Sequence, residues 1–157
     1  MVDDQLLQDL RQSFHESRFL GLLGAQLASV APGVSEVVLD IQPHLTNRRG
    51  TAHGGVLATL IDSALSQAIR TMIPPGTGSA TVEMKINYVS PGAPGRLTAR
   101  GRVIHVGGSL ATAQAEVSDA ENTIVAVGLG TFRLFRNRPK QRECEQRNEE
   151  DARVCDD

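Results

Sequence analysis

The 157-residue sequence has no tryptophan, one tyrosine and four phenylalanines. Proteins that bind single-stranded nucleic acid use aromatic platforms on which bases stack, and the material for them is nearly absent. No apolar run approaches the roughly 20 residues that a membrane helix requires. Cysteine occurs only as Cys144 and Cys155, both near the C-terminus. A disulfide framework and a cysteine-based metal site in the body of the chain are thereby excluded, and a reducing compartment is expected. The N-terminus, Met1-Val2-Asp3-Asp4-Gln5, lacks the positive charge that opens a secretory or transit segment. The expected location is cytoplasmic.

Charge of one sign is also missing from the body. Sixteen basic residues oppose eighteen acidic ones, and the acidic excess falls in residues 137–157. A neutral body argues against a dedicated nucleic-acid partner. The charge is nevertheless uneven. Between residues 41 and 115 stand Arg48, Arg49, Arg70, Lys85, Arg96, Arg100 and Arg102, with only Asp62 and Glu83 opposing them. Such a segment attracts a small polyanion. Solvated outer faces of strands account for it equally well.

The length suits one domain. Residues 1–136 are expected to form it. In 137–157, 12 of 21 residues are charged and apolar periodicity is lost, so this tail is expected to be disordered. Leu6, Leu7, Leu10 and Phe14 recur at helical spacing and predict a short amphipathic helix over 4–18. Pro32-Gly33 separates two strand candidates, 25–30 and 35–42. A turn-rich loop, 43–55, leads into the longest helix, about 55–72. Its apolar stripe is Leu57, Leu60, Ile61, Ala64, Leu65, Ala68 and Met72. Thr59, Asp62, Ser63, Ser66, Gln67 and Arg70 make the opposite side. Pro74-Pro75-Gly76 ends it. Only strands follow, at 79–89, 96–106, 109–118 and 123–135. In the first of these, Ala80, Val82, Met84, Ile86 and Tyr88 alternate with polar residues. Short links between long strands mean antiparallel neighbours. The expected class is α+β, an antiparallel sheet of five or six strands covered by one long helix.

His53-Gly54-Gly55 opens that helix. Glycines there leave unpaired backbone N–H groups approachable at the positive end of the helix dipole. Such a site stabilises a phosphate, a carboxylate or a developing oxyanion. A tight turn packed on the sheet uses the same glycines. Asp62 lies eight residues after Gly54, about 12 Å along the helix. One chain therefore does not bring both to one reacting carbon. Two antiparallel helices related by a twofold axis would, giving two equal sites per dimer. As a lone residue, Asp62 is equally a solvated side chain on a polar face. There is no G-x-S-x-G elbow and no Walker A sequence. His15, His44, His53 and His105 lack the spacing of a helical metal pair.

The run Asn47-Arg-Arg-Gly-Thr-Ala-His-Gly-Gly-Val-Leu-Ala-Thr-Leu-Ile-Asp62 strongly resembles the hotdog-fold acyl-CoA thioesterases. The likeness is to the branch of the phenylacetate-pathway enzymes and the mammalian thioesterase superfamily members. It extends from about Phe19 to Phe135 and includes Val30-Ala-Pro-Gly33 and Met84-Lys-Ile-Asn-Tyr-Val-Ser-Pro91. The resemblance implies a hotdog fold, a sheet wrapped around one long helix, with dimers that pair into tetramers and active sites between protomers. It implies that Asp62 is the general base or nucleophile and that the Gly54 N–H polarises the thioester carbonyl. Asn47 and His53 of the opposite protomer position the reacting groups, and Thr81 helps hold the water. The implied substrate is an acyl-CoA, whose phosphates would suit the basic middle segment, and no metal or organic cofactor is required. Two other readings stay open: a non-catalytic hotdog protein that binds an acyl group or serves in an assembly, and a hotdog hydratase.

Overall fold

A computed structural model describes residues 4–136. The tail expected at 137–157, with both cysteines, lies outside the described residues. Two helices come first, α1 (Asp4–His15) and α2 (Arg18–Leu23), then strands β1 (Gln26–Ala31) and β2 (Val34–Ile41). The long helix α3 (Gly54–Arg70) follows, then β3 (Thr77–Tyr88), β4 (Gly95–Val106), β5 (Leu110–Ser118) and β6 (Ile124–Arg136). The six strands form one antiparallel sheet in the order β1-β2-β4-β5-β6-β3. None of the helices described is long and apolar enough to cross a membrane.

The N-terminal helix predicted over 4–18 is α1, which ends at His15, and a second short helix, α2, runs on from the last residue of that span. Ser17 takes extended backbone angles and its hydroxyl accepts a hydrogen bond from the Leu20 N–H, which starts α2. Gly24, at φ 79°, closes α2 in the left-handed conformation. Helix α1 turns Leu10 and Phe14 inward, where both are fully buried.

Helix α3 is the centre around which the sheet curls. Ile61, Ala64, Leu65, Ala68 and Ile69 are completely buried. Each large aliphatic side chain among them contributes about 1.5–3 kcal/mol by leaving water. The helix ends at Arg70, two residues earlier than predicted, where the Thr71 hydroxyl donates to the Ala68 carbonyl and accepts from the Gly33 N–H. Met72 therefore falls outside the stripe and is half exposed, and Ile69 takes the buried position. Ser63 and Gln67, predicted on the outer side, are buried as well. The sheet covers more of the helix than one apolar stripe would require.

Close contact with β4 fixes the depth of α3. An added Cβ at Gly101 would fall on the backbone carbonyl of Ala64. The buried Ser35 hydroxyl, from β2, donates to that same carbonyl at 2.6 Å. This bond supplies the partner that a buried hydroxyl needs.

Candidate active site

Two groups of predicted residues lie at separate stations along α3. The first is at its start. His53 is the N-cap, in extended conformation, and its Nδ1 accepts from the Gly55 N–H at 3.0 Å. A neutral imidazole that accepts at Nδ1 carries its proton on Nε2, so the second nitrogen is a donor. The backbone N–H of Gly54 has no acceptor among the described residues. It stands at the positive end of a 17-residue helix. The Asn47 side chain is held by its own loop: Nδ2 donates to the Thr51 hydroxyl at 2.9 Å, and Oδ1 accepts from the Arg49 N–H at 2.8 Å. The loop is tied down by His53 N–H to the Leu45 carbonyl and Ala52 N–H to the Gly92 carbonyl.

Tyr88 is a participant that sequence reasoning placed only in an apolar alternation. Its hydroxyl donates to the Gly54 carbonyl at 3.1 Å, and its ring lies over the space where a Cβ at Gly54 would stand. The signal available was its position in Met84-Lys-Ile-Asn-Tyr88, inside the resemblance.

The second station holds Asp62 and Thr81. The Thr81 hydroxyl donates to Asp62 Oδ1 at 2.7 Å. Strict alternation would have turned Thr81 away from the helix. A β-bulge reverses the parity: Thr81 pairs with Phe132 and Glu83 with Thr131, so Val82 is the extra residue. The predicted inward run Ala80-x-Val82-x-Met84 is therefore broken. Ala80 and Val82 are exposed, Met84 and Ile86 remain half-buried, and Thr81 takes the place facing α3. Asp62 and Thr81 border a pocket of about 510 Å³, walled by Phe19 and Leu20 of α2 and by Met84.

The two stations are not brought together within one chain. Eight residues of helix separate them, about 12 Å along the axis, well beyond hydrogen-bond reach.

The basic middle segment is less free than its composition implies. Arg96 makes a two-pronged ion pair with Asp40, both contacts at 3.0 Å. This holds the Asp40 carboxyl below its usual range. Arg100 pairs with Glu36 at 2.7 Å and reaches the Ser118 hydroxyl. Arg70 is partly buried beside α1, donates to the Ser13 hydroxyl, and is lowered by desolvation. Arg48 and Arg49, exposed beside Asn47, have no acidic partner among the described residues.

The sequence pattern of the thioesterase superfamily matches residues 49–126, from the loop before α3 into β6. A candidate esterase of Halobacterium salinarum is 36% identical over 129 residues, which cover 75% of this chain and 85% of the relative. The chain belongs to the thioesterase superfamily. Human acyl-coenzyme A thioesterase 13 is 28% identical over 132 residues, covering 83% of this chain and 92% of that protein. The structure of a thioesterase family protein from Silicibacter pomeroyi superposes with a TM-score of 0.80 at 26% identity, covering 84% of this chain and 99% of the other. The fold expectation holds: α+β, with the six-stranded antiparallel sheet of the hotdog proteins packed on a long central helix. Membership places the chain among esterases and thioesterases.

Proposed function

We propose that the chain hydrolyses acyl-CoA thioesters to a free acid and coenzyme A, at sites shared between two copies. The observation that carries this reading is the pairing of Asp62 with Thr81 in a pocket, two helical turns from an open N–H at the start of the same helix. A thioester carbonyl is already electrophilic. It lacks only a donor for the developing oxyanion and an activated water. The Gly54 N–H is the donor, strengthened by the helix dipole. Asp62 of the opposite copy takes a proton as the water oxygen bonds to the carbonyl carbon, or attacks that carbon itself. The carbon–sulfur bond then breaks, and the thiolate leaves and is protonated; where Asp62 itself attacked, water then hydrolyses the resulting acyl–Asp62 anhydride, which releases the acid and restores the carboxylate. Thr81 fixes one carboxylate oxygen and leaves the other for the reacting group.

His53 caps the helix that carries the donor, and Asn47 holds the loop that presents it. Arg48 and Arg49 stand on that loop, where the coenzyme A phosphates would be attracted. Hydrolysis of this kind calls on no metal or organic cofactor.

Because Gly54 and Asp62 are so far apart in one chain, turnover requires at least a dimer. Free thiol should be released from a panel of acyl-CoAs, and light scattering at micromolar concentration should give a dimer or a dimer of dimers. An active monomer would overturn the shared site. Thiol release from none of the panel would overturn the activity.

A further inference from the structure

The backbone N–H groups of Gly54, Gly55, Val56 and Leu57 open α3. His53 Nδ1 takes that of Gly55, and the His53 carbonyl takes those of Val56 at 2.9 Å and Leu57 at 3.3 Å. Only the Gly54 N–H is left without an acceptor among the described residues. The peptide that follows it, joining Gly54 to Gly55, has glycine on both sides. It is therefore the peptide of this turn that rotates most readily. Turned over, it would show a carbonyl oxygen in place of an N–H at the positive end of the helix. Negative charge develops there in the reaction, so an oxygen would oppose it.

Two side chains grip this peptide at opposite ends. His53 Nδ1 accepts from its N–H at 3.0 Å, and the Tyr88 hydroxyl donates to its carbonyl at 3.1 Å. The helix holds that carbonyl only from within, by the N–H four residues on. Tyr88 holds it from outside, from the end of β3. Its ring atoms also stand 3.4–3.5 Å from where a Cβ at Gly54 would be, and so cover that flank of the glycine. Tyr88 is 56% exposed, so its ring adds little to the core. We infer that Tyr88 is a positioning residue for the oxyanion donor: it locks the Gly54–Gly55 peptide and so keeps the Gly54 N–H aimed at the reacting carbonyl. This rests on the reading of that N–H as the oxyanion donor. The lock acts on a bond that strengthens as the oxyanion forms, so its loss falls on kcat and spares KM.

Two variants test it. Tyr88→Phe keeps the ring and removes the hydroxyl, and Tyr88→Leu removes both. On any acyl-CoA that the native protein hydrolyses, Tyr88→Phe should lower kcat about three- to tenfold with KM within about twofold. Tyr88→Leu should lower kcat further. A structural role alone would lower the melting temperature and leave kcat of the folded protein unchanged. Amide NMR spectra of protein isotope-labelled at glycine read the lock without turnover. In Tyr88→Phe the Gly54 and Gly55 resonances should shift, and the Gly55 N–H should exchange with solvent about threefold faster or more. That loss of protection, in a protein that releases no thiol, would support the lock and overturn only the hydrolysis. An unchanged kcat in an active protein, or a loss confined to KM, would overturn the role of Tyr88. Glycine amides left as they were by the substitution would overturn it equally.

Discussion

Replacing Asp62 by Asn should lower kcat by roughly 10²–10⁴-fold and leave KM almost unchanged. The amide keeps the size of the carboxylate, and its oxygen still accepts from the Thr81 hydroxyl, so the pocket is preserved. What disappears is the base. Glu83→Gln is the comparison, since Glu83 is the other acid of the middle segment and is exposed on β3. It should change kcat little. Equal losses from the two substitutions would make the assignment of Asp62 wrong.

A mixing experiment reads the geometry itself. Asp62→Asn and Asn47→Ala should each be nearly inactive alone, because each damages both sites of its dimer. In a mixed dimer, one site carries both substitutions and the other carries neither. Refolding equal amounts together makes about half the dimers mixed, each with one good site of two, so about a quarter of native activity should return. Mixed dimers that form without recovering activity would put Asp62 and Asn47 in one chain's site.

The second large effect is on stability. Gly101→Ala should lower the melting temperature by roughly 10 °C or more, or prevent folding. Overpacking costs about 1–3 kcal/mol when flexible side chains can give way. Here the new methyl would meet the Ala64 carbonyl, so one backbone must move from another, and the Ser35 hydroxyl is 3.0 Å from the same point. Against a total stability of about 5–15 kcal/mol the loss is severe. Gly108→Ala is the control, since nothing lies within 4 Å of its added Cβ. Circular dichroism melts of the two variants decide it; an unshifted melt for Gly101→Ala would mean that the sheet and helix separate easily.

Much of this fold was legible because its signals are local. The period of α3, the Pro-Gly breaks and the turn signals that divide the strands each need only a short window of sequence. What escaped depends on partners far along the chain. The bulge at Val82 exists because β3 must keep register with β6, about fifty residues away, and no pattern within β3 announces it. Asp40 and Glu36 neutralise Arg96 and Arg100 across neighbouring strands, which a charge count along the sequence separates. Helix α2 has six residues, too few for a period to show. Gln67 reads as an outward residue because glutamine usually is one, yet it is buried. The site residues were legible only as a motif. Their division into two stations came from helix geometry, and the Thr81–Asp62 bond came from the bulge.

The even spacing of the two stations has a consequence for symmetry. If the start of each α3 lies against Asp62 of its partner, the residue midway between 54 and 62 lies on the twofold axis. That residue is Ala58, small and half-buried in the single chain. A position on the axis meets its own copy, so any change there is made twice at one point and felt equally by both sites. Enlarging Ala58 to Phe would act as a wedge at a hinge. It should open both sites by the same amount, and activity and dimer affinity should fall together in dilution experiments. A fully active dimer carrying Phe at position 58 would move the axis elsewhere along the helix.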